Sequence, residues 1–300
     1  MTAKYLHYDV FTPHPFRGNQ LAVFIDARGM EPWRMQALAR EMNFSESTFV
    51  LPAEQAGTDV RMRIFTPGLE LPIAGHPTIG SAFALVHAGI VAPDTRRFVF
   101  GLNIGPTPVD LEWTDGRLRF AWMTQVNPEF GPEITDRQAV AQTVGLQEPD
   151  LHPDLPVQQV SCGVPYLLVP LRDYQAVDRA VSDAAAFRRL GASIDRELAI
   201  YLFALSPRGA EETAYSRMFA PGFGIVEDPA TGSACGPLGC YLLRHSVVAG
   251  ADAQRMMAVQ GVAMGRESRI HIAITGSRDA ITEVKVGGEA VLVGQGELFP

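Results

Sequence analysis

Short runs of apolar residues, several alternating with polar ones, dominate the first hundred positions: YLHYDVF from Tyr5, QLAVFI from Gln20, STFVLP from Ser47 and DVRMRIF from Asp59. A period of two predicts strands buried on one face. These runs lead through a Gly/Pro loop to a segment that is apolar on every side, which predicts a buried helix from about Pro77 to His87. Gly89 stands just past its end, where a left-handed stop costs a residue without Cβ little. Hairpin strands follow, turning at Thr114 to Gly116.

The second half repeats the order. QQVSCG from Gln158, PYLLVPL from Pro165, AIYLFAL from Ala199 and AYSRMFA from Ala214 read as strands, followed by a helix from about Pro237 to Val247. RIHIAIT and EVKVGGEAVLV then read as closing strands. Between the halves, VNPEFGPEITD has the composition of a crossover, and a surface helix is predicted around Arg137 to Val144.

The resemblance between halves extends to residues. RIFTPG at Arg63 returns as RMFAPG at Arg217, 154 positions later, and the same shift lays Phe49 on Phe203, Leu51 on Leu205 and Ala56 on Ala210. Downstream, five residues are added between Gly222 and Cys235, so that HPTIGSAFAL from His76 lies over CGPLGCYLLR from Cys235, with Gly80 on Gly239. GNQLAVF from Gly18 matches GVPYLLV from Gly163 more loosely. Similar pieces in the same order predict an internal duplication.

An α+β fold follows, with two pseudo-symmetric halves, each an antiparallel sheet wrapped around one central apolar helix. The boundary falls near residue 124: residues 1–124 form the first half and 125–300 the second, the strand near 288–300 being a candidate to complete the first. Three hundred residues suffice for two cores.

Composition narrows the function. A net charge of -8, with Lys and Arg scattered, leaves no footprint for a nucleic acid backbone. No stretch approaches the ~20 apolar residues needed to cross a bilayer, and the start has no apolar leader core, so a soluble, unprocessed, membrane-free protein is expected. Cys162, Cys235 and Cys240 form no CxxC pair, which suits a reducing cytoplasm and argues against a disulfide framework or zinc ribbon. The seven histidines show no metal-ligand spacing, and neither GxGxxG nor GxxxxGK[ST] stands between a strand and a helix, so no metal and no cofactor is expected.

Both predicted helices begin in small residues, GHPT and TGSACGP, and the first turn of a helix presents amides that the helix itself leaves unsatisfied. Gly75 and Gly232 with Ser233, aided by the Thr231 hydroxyl, are therefore candidates to hold a small carboxylate substrate in a cleft shared by the halves. Polar residues found in only one copy are the candidates for chemistry. Glu46 precedes an apolar strand where the other copy has Ile200, and Asp228 lies in the five-residue insertion. Apolar neighbours such as Phe44 and Phe49 favour the protonated form of a carboxyl, which suits a group that takes and returns a proton. His76, at a helix start, can hold a substrate or pass a proton. Cys235, aligned with His76, lies where a thiolate is favoured, but its partner position carries no second cysteine.

DVFTPHPFRGNQLAVF, NFSESTFV, RIFTPGLELPIAGHPTIGSA and DPATGSACGPLGCYL resemble the PhzF-like phenazine biosynthesis isomerases, over nearly the whole chain. The resemblance implies the diaminopimelate epimerase-like fold, a homodimer and no cofactor. It also implies proton transfer on a small acid such as trans-2,3-dihydro-3-hydroxyanthranilate. NFSES then marks Glu46 as the proton-moving glutamate, while AGHP and DPATGS assign substrate contacts to Gly75, His76, Asp228, Gly232 and Ser233. Two rival functions remain open at this point: an amino-acid or hydroxy-acid epimerase using Cys235, and a non-catalytic metabolite-binding protein.

Overall fold

The computed structural model describes residues 2–73, 75–194, 197–205 and 211–299. Ala74 of the AGHP motif and Ala210 of the repeat lie outside them. The chain divides into two compact units, residues 1–125 with 285–300, and residues 126–284.

The first unit opens with β1 (Ala3–Val10) and β2 (Asn19–Phe24), then α1 (Pro32–Met42), β3 (Glu46–Pro52), β4 (Val60–Phe65) and the short β5 (Glu70–Leu71). The central helix α2 (Gly75–His87) follows, then β6 (Arg97–Leu102), β7 (Gly105–Thr114) and β8 (Arg117–Gln125). The predicted hairpin turn is built from Asp115 and Gly116, both at positive φ, between β7 and β8.

The second unit begins with β9 (Glu129–Glu133), α3 (Arg137–Thr143), β10 (Gln158–Ser161) and β11 (Pro165–Leu171). Helices α4 (Tyr174–Arg179) and α5 (Ala184–Ser193) lead to β12 (Ile200–Ala204), β13 (Ala214–Ala220) and β14 (Ile225–Asp228). Its central helix is α6 (Gly232–Arg244), followed by β15 (Met256–Gln260) and β16 (Ser268–Ser277). β17 (Ala280–Gly288) carries the chain back into the first unit, where β18 (Ala290–Leu298) pairs along the whole of β1.

In the first unit α2 packs against β1, β2, β3, β7, β8 and β18, and it is buried on every side from Gly75 to Leu85. A second layer lies on the other face of the sheet: Met35, Leu38 and Ala39 of α1, spaced i, i+3, i+4, pack with Phe24, Phe49 and Phe65. The second unit repeats this plan with α6 on β10, β11 and β16, and with α3, α4 and α5 supplying Val140, Val177, Phe187 and Leu190 to the other core.

The pairings sharpen the expectation of antiparallel sheets. Most pairs are antiparallel, but β2/β3, β4/β6, β11/β12 and β13/β15 are parallel. A parallel pair needs a crossover rather than a tight turn, which is what α1 supplies in one unit and α4 with α5 in the other. Those three helices are absent from the expectation of purely antiparallel sheets, whose strands need no crossover.

Both units run the same series: antiparallel, parallel, antiparallel, with a short strand beside β4 or β13 and a parallel strand on the same element. The ladders correct the alignment by one residue in one strand. Ser47 pairs with Phe65, while Ile200 pairs with Phe219, the counterpart of Phe65. Ser47 therefore corresponds to Ile200, Thr48 to Tyr201, and Glu46 to Ala199. Facing agrees, because Phe49 and Leu202 both join the outer cores, whereas at a shift of 154 Phe49 would be matched to Phe203, which packs on Tyr241 of α6. A slip of one residue exchanges the faces of a strand.

Both central helices start earlier than their prolines suggested. Pro77 lies in the first turn of α2, where its missing N–H costs nothing, so that His76 belongs to the helix. Pro237 lies inside α6, five residues after its start, which places Cys235 within the helix rather than ahead of it. The small residues Gly232 to Gly236 let that first turn form against the sheet.

Candidate active site

Glu46 opens β3, and strand alternation puts it on the same face as Thr48, whose hydroxyl meets Ser81 of α2 at 2.9 Å. The carboxylate thus faces the start of α2, where His76 Nε2 lies 3.4 Å from Glu46 Oε2. Both side chains are buried, at 4% exposure for His76 and 11% for Glu46. On the far side of the ring, Asn19 Nδ2 sits 3.2 Å from His76 Nδ1. This contact holds the ring in place, its donor and acceptor roles being set by the tautomer. Burial drives the imidazole pKa down to about 3, a hydrogen bond to the Gln20 backbone opposing only in part, so the ring is neutral at physiological pH and the contact is not an ion pair. Among the described residues His76 Nε2 makes no hydrogen bond.

The second unit holds its candidates in a closed network. Thr231 Oγ1 donates to Asp228 Oδ2 at 2.6 Å, and Gln260 bridges both residues. Ser233 Oγ meets the Tyr166 hydroxyl at 2.7 Å. Asp228 ends β14, and the neighbouring Glu227 is clamped by Arg217 in a two-pronged pair, both bonds at 2.8 Å. Arg217 also donates to the carbonyls of Val177 and Ala180 behind α4. Arg63 and Glu70 form the corresponding pair in the first unit. Asp228 pairs with Met218 as Leu71 pairs with Ile64, so Asp228 has a counterpart in Leu71 and does not lie in the insertion expected from the sequence.

Cys235 has no exposed surface and lies 3.3 Å from the Tyr201 hydroxyl. Burial pushes its thiol up to about 12, the charge of Asp228 adding to the effect and Tyr201 pulling the other way. The donors can be traced. Ser216 gives its proton to the Val259 carbonyl at 3.0 Å, so Tyr201, 2.7 Å away, must give its own to Ser216. Tyr201 is then left to accept, and Cys235 donates as a neutral thiol.

The structure therefore brings Glu46 and His76 together in one unit, and Asp228, Thr231 and Cys235 into one neighbourhood in the other, with Gly75 and Gly232 as the first residues of α2 and α6. Sequence reasoning missed Asn19, Tyr166, Tyr201, Arg217, Glu227 and Gln260. RIF and RMF did signal the Arg63 and Arg217 positions, but the repeat was read for register rather than charge. Gln260 had no local signal, since its partners lie 29 and 32 residues away.

A carboxylate set against a buried neutral imidazole is the equipment of an enzyme that relocates protons, and the comparisons agree that the class is isomerase. The family model described as phenazine biosynthesis-like protein matches residues 8–296. A trans-2,3-dihydro-3-hydroxyanthranilate isomerase of Pseudomonas aeruginosa is 36% identical, covering 99% of each chain. An isomerase of Mesorhizobium japonicum, described as uncharacterized, is likewise 36% identical over 99% of each chain. Among solved structures, a PhzF-family protein of Bacillus anthracis superposes with a TM-score of 0.89 at 27% identity and complete coverage of both chains. A probable proline racemase of Agrobacterium radiobacter shares the fold, with a TM-score of 0.68 at 13% identity over 99% of this chain and 93% of that one. The chain belongs to the phenazine biosynthesis-like family, PhzC-PhzF. Among the described residues no helix is long and apolar enough to cross a membrane.

Proposed function

We propose that the chain isomerises a small carboxylic acid by moving one proton between carbon atoms, with trans-2,3-dihydro-3-hydroxyanthranilate the first substrate to try. The observation that carries this reading is the Glu46–His76 pair, a carboxylate beside an imidazole that burial keeps neutral. The name of the Pseudomonas relatives supports the choice of substrate.

Glu46 as a carboxylate takes the proton from an activated carbon and, as a carboxylic acid, returns it elsewhere on the same molecule. In the tautomer that carries its proton on Nε2, His76 donates to the negative charge that develops meanwhile, a contact worth most in a buried site. Asp228 accepts a hydrogen bond from the substrate, whose carboxylate is met by amides at Gly75, Gly232 and Ser233. The Thr231 hydroxyl is engaged by Asp228, so its part is to orient that carboxylate rather than to touch substrate.

The shared order of ladders supports descent of both units from one ancestor, with Glu46, His76 and Asp228 as later specialisations. A homodimer and a cytoplasmic location belong to the same reading, and sedimentation of the purified chain tests the first. The epimerase alternative loses support from Cys235, whose thiol is buried, high in pKa and occupied as a donor. The test is incubation with the dihydro-hydroxyanthranilate in deuterated water, read by mass. Turnover, lost in Glu46→Gln, is the expected result, with deuterium at carbon only to the extent that the proton on Glu46 exchanges with solvent before its return; full turnover by Glu46→Gln would sink the mechanism.

A further inference from the structure

Gln260 ends β15 with no exposed surface, and all three of its side-chain hydrogen bonds go to the segment that carries Asp228. Its Nε2 donates to the Asp228 carbonyl at 2.7 Å, and its Oε1 accepts from the Thr231 amide at 3.0 Å. A carbonyl only accepts and an amide N–H only donates, so these two contacts settle which end of the Gln260 side chain is oxygen and which is nitrogen. The remaining Nε2 proton then goes to Thr231 Oγ1 at 2.9 Å. Thr231, already accepting, turns its own proton onto Asp228 Oδ2.

The surroundings hold the same segment from behind. Gly261 has a φ of 77°, and a Cβ there would lie 2.5 Å from the Pro229 carbonyl oxygen, which Ser268 also bonds at 2.9 Å. Every group in the relay is buried: Asp228 and Thr231 at 5%, Ser268 at 0%.

We propose that Gln260 is a positioning residue for catalysis: acting through Thr231, it fixes the orientation of the Asp228 carboxylate. The proposal rests on the reading of Asp228 as a substrate contact. Gln260 itself touches no substrate. A hydrogen bond to a charged group inside a low-dielectric interior is strong, so losing the aim of Asp228 weakens transition-state contacts more than it weakens binding of the ground state.

The experiment compares the full chain with Gln260→Glu, Thr231→Val, Thr231→Ser and the Gln260→Glu/Thr231→Val double variant, on trans-2,3-dihydro-3-hydroxyanthranilate. Glutamate keeps the shape of glutamine and its acceptor for Thr231 N–H, but has no N–H pair to donate. Gln260→Glu and Thr231→Val each lower kcat by about 10- to 100-fold, the worth of one hydrogen bond to a charged group, while KM shifts by less than about threefold. Thr231→Ser recovers most of what Thr231→Val loses. The double variant falls no further than the worse single one, because both act through one contact. A kcat for Gln260→Glu within about twofold of the parent, or losses that multiply in the double variant, would overturn the proposal.

Amide hydrogen exchange of residues 228–233, read by mass on the same proteins without ligand, gives a second readout. Gln260→Glu is expected to speed it, and exchange equal to that of the parent overturns the positioning role. If the parent chain does not turn over the dihydro-hydroxyanthranilate, the reaction assigned above fails and the exchange measurement alone decides the role of Gln260.

Discussion

The two units reach the same architecture and then use it differently. In the first, the buried Glu46 and His76 side chains face each other at 3.4 Å, and the imidazole Nε2 has no hydrogen bond among the described residues. In the second, the equivalent helix start is wired shut: Cys235 donates to Tyr201, Tyr201 to Ser216, and Ser216 to a carbonyl, while Gln260 and Thr231 tie down Asp228. A buried polar atom without a partner is costly, and native proteins retain such atoms where a ligand completes them. The contrast separates an unsatisfied polar pair from a satisfied network.

Substitution should separate them most widely in kcat. Glu46→Gln removes the group that moves the proton and is expected to lower kcat by about 10² to 10⁴. Cys235→Ala is expected to cost less than about tenfold, well short of the loss of an acid–base group. A Cys235→Ala loss as large as that of Glu46→Gln would erase the contrast and revive the epimerase reading. Thiol accessibility probes the same point without substrate: with all three cysteines free and buried, a disulfide reagent should titrate them only after unfolding.

Stability gives the next largest effects, and here the units should behave alike. Gly80 lets α2 approach Val10 and Leu21, where an added Cβ would lie 2.6 Å from each side chain. Gly239 does the same for α6, at 2.5 Å from Ile272. Gly80→Ala and Gly239→Ala should each lower unfolding free energy by about 1 to 3 kcal/mol, the usual cost of overpacking a core against β-branched neighbours. A neutral outcome at one site and a large one at the other, by urea titration, would show that only one helix is so tightly seated.

A slope rather than a step is expected in pH dependence, and it belongs to the first unit. His76 is neutral when folded down to about pH 3, whereas the unfolded ring takes up a proton near 6.5. Its contribution to stability is therefore complete above pH ~6.5 and is lost as the pH falls toward 3, at up to about 1.4 kcal/mol per unit. Urea titrations between pH 7 and 4 should show that slope, and His76→Gln should flatten it.

Much of this was legible in the residues themselves. The order of strands, the two apolar helices and the motifs around Glu46, His76 and Asp228 are local patterns, and local patterns survive without tertiary information. The crossover helix α1 also carried a signal, Met35, Leu38 and Ala39 at helical spacing, but reading it required knowing that β2 and β3 are parallel. The one-residue slip between β3 and β12 had no local signal at all, because the inserted residue lies in the connection and only the ladder to Phe65 or Phe219 reveals it.

The sequence by itself determined which chemistry is available: a glutamate before an apolar strand, a histidine at a helix start, an aspartate in a Gly/Pro-rich loop and no cysteine at the repeat position facing Cys235. Tertiary structure decided what each group can do with it. Burial made His76 neutral and Cys235 a thiol, and hydrogen bonds from Gln260, some thirty residues distant, tie down the segment that carries Asp228. Protonation and orientation depend on neighbours in space, and chain position alone does not reveal which neighbours those are.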